Sequence, residues 1–153
     1  MSAGDRLRMR RCALQVMYEM DQRCADASSD SADTSSENAN ASLAGHFADE
    51  AFAVEDERSL HQGRALAELA WEFREEADTA LAGLVTDWPT HRQPVVDRNV
   101  LRLAFYEMSR GGVPHAAAID QAVELAREFG GERSPAFVNA VLDRWWKSRD
   151  GAI

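Results

Sequence analysis

Apolar residues recur at helical spacing through most of this chain, most densely in PVVDRNVLRLAFYEMS at 94–109. At 100° per residue, Val96, Val100, Leu101, Leu103, Ala104, Phe105 and Met108 cover an arc of roughly 200°, wider than the stripe of an ordinary surface helix. Such a helix must be wrapped on more than one side, which implies an all-α domain built around it. The strip left over, Arg98, Asn99, Arg102 and Tyr106, is expected to reach solvent or a partner. Pro94 and Asp97 suit the first turn, where a missing N–H costs nothing and a carboxylate meets the positive end of the dipole.

The other elements follow from the same periodicity. From about Arg6 to Cys24, Met9, Ala13, Val16, Met17, Met20 and Cys24 form an expected buried stripe, with Arg8, Arg11, Gln15, Tyr18 and Gln22 on the opposite face. Residues 25–42 are Ser-, Asp-, Ala- and Asn-rich and too poor in apolar side chains to offset their ordering entropy, so a disordered insertion is expected. A short helix is expected over 43–54, with Phe47, Ala48, Ala51 and Phe52 on its apolar side. One long helix then carries Leu66, Leu69, Ala70, Phe73, Ala77, Ala80, Leu81, Leu84 and Trp88 to a stop at Pro89. Gly111-Gly112 ends the central helix and Pro114 opens the next, which buries Ala118, Ile119, Ala122, Val123, Ala126 and Phe129 before Gly130-Gly131. Ser134 is expected as the N-cap of a final helix burying Val138, Val141, Leu142 and Trp145, with Phe137 at the margin of that stripe.

Charge changes the picture by its placement. The 153 residues carry a net −9, but the segment 25–57 alone holds nine acids and no Lys or Arg. Without it the chain is near neutral, with four arginines between Arg6 and Arg11. Basic residues at a helix N-terminus oppose the dipole, so the cluster is either a solvated face or a surface for phosphates and stacked bases. Cys12 and Cys24 lie about 18 Å apart along one helix, beyond disulfide reach, as expected of a reduced, cytoplasmic protein. No apolar run is long enough for a membrane span.

Catalytic and metal chemistry find little support. His46, His61, His91 and His115 have no metal-ligand spacing, the cysteines form no zinc pattern, and no glycine-rich nucleotide loop follows a strand. Asp26, Ser28, Asp30 and Glu37 fall at calcium-loop positions, but Ser31 stands where the turn needs glycine. The chain is therefore expected to have no cofactor and not to be an enzyme.

Four ordered stretches resemble the NusB family of transcription antitermination factors: RCALQ with Tyr18, VDRNVLRLAFYE at 96–107, AVELAREFG at 122–130 and FVNAVLD at 137–143. The likeness covers nearly the whole chain outside the Ser/Asp-rich insertion. It implies a single NusB-like domain of six to seven helices, in two small helical subdomains at about 5–90 and 94–149. It further implies binding of boxA RNA in ribosomal RNA transcripts together with NusE, a ribosomal protein of the small subunit, and entry into the RNA polymerase antitermination complex. By the same resemblance Arg6, Arg8 and Arg10 match RNA-contacting positions, with Arg11 an added cation where Leu7 replaces a basic residue. Tyr18 and Asp97 match the NusE interface, and Phe137 matches an aromatic near the RNA.

This chain departs from the family at Arg133, often acidic in relatives, and at Asp120-Gln121, where the acid has moved by one position. Arg133 would add attraction for RNA. Some relatives form homodimers, so monomer and homodimer both stay open. The competing readings are a helical protein-interaction adaptor with merely solvated arginines, and an RNA-binding domain related to those fused to ribosomal RNA methyltransferases.

Overall fold

The computed structural model describes residues 2–28, 57–85 and 92–150. Six helices occupy these stretches: α1 Ala3–Ser28, α2 Glu57–Glu72, α3 Arg74–Ala82, α4 Val95–Ser109, α5 His115–Phe129 and α6 Ser134–Asp150. No strand occurs among the described residues. As its wide apolar arc requires, α4 is the central helix and touches all five others. Its Phe105 ring lies 4.7 Å from Trp145 of α6, and Val100, Leu101, Leu103 and Ala104 are buried around it.

The polar strip of α4 does not reach solvent as expected. Asn99 and Arg102 are buried and Arg98 is largely covered, because α1 and α3 bring acids to meet them. Asp21 of α1 accepts from Arg98 Nε and Nη2 at 2.6 Å each, from Asn99 Nδ2 at 2.8 Å and from Arg102 Nη1 at 3.2 Å. Arg102 also grips Asp78 of α3 with two bonds of 2.9 and 2.7 Å. Desolvation disfavours the Arg102 charge, but Asp78 and Asp21 outweigh it and hold the guanidinium above its ordinary range.

Eleven residues earlier on the same face of α1, Arg10 forms a two-pronged pair with Glu107 of α4, its Nε 2.9 Å from Oε1 and its Nη2 on Oε2. Residues 10 and 21 thus meet 107 and 98, so α1 and α4 run antiparallel.

The buried face of α1 is Arg10, Ala13, Leu14, Met17, Tyr18 and Asp21, with Cys12 turned toward α2. That face is rotated from the expected stripe. Cys24 is exposed, and Met9, Val16 and Met20 are only half-buried. The helix also runs four residues past Cys24, through Ser28, into the segment expected to be disordered. The remainder of that insertion, the expected helix at 43–54 and the stop at Pro89 lie outside the described residues.

Against α1, helix α2 turns small residues: Ser59, Gly63, Ala67 and Ala70 are buried, while Leu69 is 44% exposed. The expected long helix breaks at Phe73, whose φ/ψ of −94°/11° leave the helical well and whose N–H reaches Leu69 O at a stretched 3.4 Å. The break sets the Phe73 ring against Tyr106, 5.8 Å away, with the Arg110 guanidinium 4.6 Å from its centre. A Cβ at Gly63 would sit 2.5 Å from Cys12 Cβ and 2.8 Å from Met9 O, so the α1–α2 spacing depends on its absence. Gly63→Ala should therefore lower the unfolding free energy by about 1–3 kcal/mol in urea melts, despite the better helix propensity of alanine; equal or higher stability would show that the helices part easily.

Candidate nucleic-acid interface

The first turn of α1 is held by a reciprocal cap. Asp5 N–H donates to Ser2 Oγ at 3.1 Å, while Ser2 N–H and Oγ–H donate to Asp5 Oδ2 at 3.1 and 2.7 Å. These bonds lower the Asp5 pKa and place a carboxylate where the helix dipole favours it. The cap starts the helix ahead of the arginine cluster, and from there helical rotation divides the arginines. Arg6 and Arg8 are exposed. Arg11 is half-exposed and pairs with Glu128 in the last turn of α5, Nε to Oε2 at 2.9 Å.

That pair ties α1 to the last turn of α5, just ahead of the α5–α6 turn with Arg133 and of Phe137 in the first turn of α6. The α5–α6 turn is tightly built. Gly130 has no room for a side chain, since a Cβ there would lie 2.6 Å from Ser134 Cβ and 2.7 Å from Ala126 O. Ser134, expected to cap α6 forwards, instead accepts the Gly131 N–H at 2.9 Å. The Arg133 carbonyl accepts the Phe137 N–H at 3.1 Å and opens the helix one residue earlier. Arg133 is exposed, and Phe137 is half-buried with its inner side on the core.

Three expected contact residues lie inside the protein. The Arg10 side chain is 2% exposed and committed to Glu107, with Nη1 also donating to Arg6 O at 3.3 Å, so its guanidinium is not on the arginine-bearing surface. Burial raises the Glu107 pKa and Arg10 pulls against that rise. Tyr18 is 5% exposed, and burial followed by the Asp21 charge raises its pKa, so its ring offers no open face for a base. Asp97 is 1% exposed in the first turn of α4.

The residues that sequence reasoning missed are Asp21, Asp78 and Glu107, the acids that take the interior arginines. A signal existed for Asp21: with Arg10 it extends the stripe of Leu14, Met17 and Tyr18 at helical spacing, one charge at each end. Among the described residues no group of His, Cys, Asp and Glu is placed to hold a metal ion, and no helix is long and apolar enough to cross a membrane.

Comparison with known proteins places this architecture. The family model described as the NusB family matches residues 7–147. The chain belongs to the NusB family. A NusB relative named transcription antitermination protein NusB, from Herpetosiphon aurantiacus, is 36% identical over 141 residues, 90% of this chain and 86% of the relative. Shorter alignments, over 68 and 71 residues, reach 53% and 49% identity with two further curated proteins of that name; there the chain spans about half the relative's length, 47% and 50%.

Among solved structures, T. maritima NusB superimposes with a TM-score of 0.67 at 29% identity, covering 93% of this chain and 90% of that one. A structure described as antitermination factors NusB and NusE in complex with dsRNA gives 0.67 at 21% identity, covering 94% and 97%, and supports the NusB fold.

Asp97 carries a testable consequence. It accepts a hydrogen bond from Ser134, yet burial raises its pKa above the ordinary 3.8 and its Oδ1 has no partner. A raised folded-state value favours the protonated form. The side chain's contribution to stability is then full below the unfolded value near 3.8 and is lost as pH rises through the folded one. Asp97→Asn should be more stable than the parent at neutral pH, with the difference closing as the pH falls toward 3.8. A pH series of urea melts reads this directly, and an Asn variant weaker at neutral pH would show that the ionised form is the stabilising one.

Proposed function

We propose that this chain is an RNA-binding transcription antitermination factor that binds boxA RNA together with NusE and acts in the RNA polymerase elongation complex. The observation that carries the reading is the Arg11–Glu128 pair, which ties the helix bearing exposed Arg6 and Arg8 to the last turn of α5, ahead of Arg133 and Phe137, in a chain matched to the NusB family over 7–147.

On a chain of net charge −9 a polyanion needs such a local cationic edge. Arg6, Arg8, Arg11 and Arg133 supply phosphate contacts, and the half-buried ring of Phe137 suits contact with a base. A few contacts give modest affinity, and a strand held jointly with NusE gains by effective concentration. Tyr18 and Asp97 act on the partner surface indirectly, by holding α1 and α4 in place. The activity is binding without a catalytic step, in the cytoplasm where nascent transcripts are found.

Replacing Arg6 and Arg8 by alanine should weaken binding of a boxA oligonucleotide roughly tenfold at low salt and flatten the salt dependence by about 1.4, two single-strand phosphate contacts. NusE capture without RNA should be unchanged. Parental affinity and salt slope in the double variant would refute the assignment of these arginines to RNA.

A further inference from the structure

The exposed cations extend well beyond the tip. On α6, Arg133, Phe137, Ala140, Arg144 and Lys147 follow one another at intervals of four, three, four and three residues, which places them on a single ridge. Every one except the half-buried Phe137 is exposed, and the ridge runs about 21 Å at 1.5 Å per residue. The exposed methyls of Ala136 and Ala140 keep the ridge low between the aromatic ring and the distal cations.

Cations in the last turns of a helix are favoured by its dipole, which accounts for Lys147 alone. The dipole gives no reason for Arg133, at the opposite end, to share their line. The distal side chains are not committed inside the fold. Arg144 Nη1 donates to a carbonyl, Leu84 O at 3.1 Å, and forms no ion pair with a carboxylate among the described residues. Lys147 pairs with Asp143 at 2.8 Å, the two side chains 74% and 46% exposed, a contact that a phosphate can replace. Arg149 is not on the ridge: its guanidinium lies over Trp145 and Trp146, 5.1 and 4.9 Å from the ring centres.

We infer that this ridge is a second RNA subsite, along which a single strand leaving the Arg6–Arg8–Arg133 edge continues past Phe137 to Arg144 and Lys147. The inference rests on the RNA-binding reading above and adds the strand's course and length. The occupant follows from charge complementarity and from continuity: Arg133 is both the last cation of the tip and the first of the ridge. Asp143, beside the line, and Glu132, before it, confine the favourable potential to a narrow track, which suits one strand better than a duplex.

The test compares two single-stranded RNAs in the presence of NusE: a boxA core of about 8 nucleotides, and the same core extended by about 4 at either end in separate probes, lengths within the usual range of single-strand sites. The full-length chain should bind one of the extended probes several-fold more tightly than the core. Arg144→Ala with Lys147→Ala should abolish that gain and its extra salt dependence and leave core binding unchanged, with helical circular dichroism as the check on folding. An Arg144→Lys variant should retain the gain.

Equal affinity of the parent for core and extended probes, or an equal loss on both in the double variant, would overturn the subsite. Failure of the parent to bind even the core would instead overturn the RNA reading on which it rests.

Discussion

Two buried ion-pair clusters lock α1 against the central helix, and the rest of the molecule is arranged by that lock. Arg10 must find Glu107 while Asp21 finds Arg98, Asn99 and Arg102, and the two clusters lie eleven residues apart on α1. A buried pair adds little net stability over an apolar one, because desolvation cancels most of the attraction, but a buried charge left alone costs several kcal/mol. Shifting α1 by one residue would strand charges at both ends. The clusters thus specify register more than they add stability.

Register then decides what is displayed. With Arg10 and Asp21 turned inward, helical rotation leaves Arg6 and Arg8 outside and aims Arg11 at Glu128. One pair of salt bridges thereby sets the orientation of α1 and joins it to the last turn of α5, just ahead of the α5–α6 turn. That turn is fixed from the other side by α4, through Asp97 and Ser134, and by the close approach that only glycine permits at residue 130. Both halves of the candidate interface are referred to the same central helix.

Wherever apolar residues carry the pattern, the helices were legible in the sequence. The wide arc of 94–109 correctly implied a helix wrapped by neighbours, and the stripes of α5 and α6 held in nearly every position. Reading failed where charge or small size took the place of bulk. Arg10 reads as an RNA contact and Asp21 stands outside the expected buried stripe, because an isolated charge belongs in water and only partners 77 to 97 residues away make their burial tolerable. Gly63 and Ala67 join the expected Ala70 on the face toward α1 and displace Leu69 from it, since close helix approach requires small side chains. The exposed candidates Arg6, Arg8 and Arg133 were legible, whereas the interior placement of Arg10, Tyr18 and Asp97 depended on contacts that no local pattern encodes.

The central claim, that Arg10 is an interior register pin and the exposed arginines are the ligand-facing ones, is tested most directly by a double-mutant cycle on Arg10→Met and Glu107→Leu. Each single change should cost about 3–5 kcal/mol by stranding its partner, and the double variant should recover most of that loss while keeping the parental salt dependence of RNA binding. Small additive costs, together with a flattened salt dependence in the double variant, would contradict the account and return Arg10 to the binding surface.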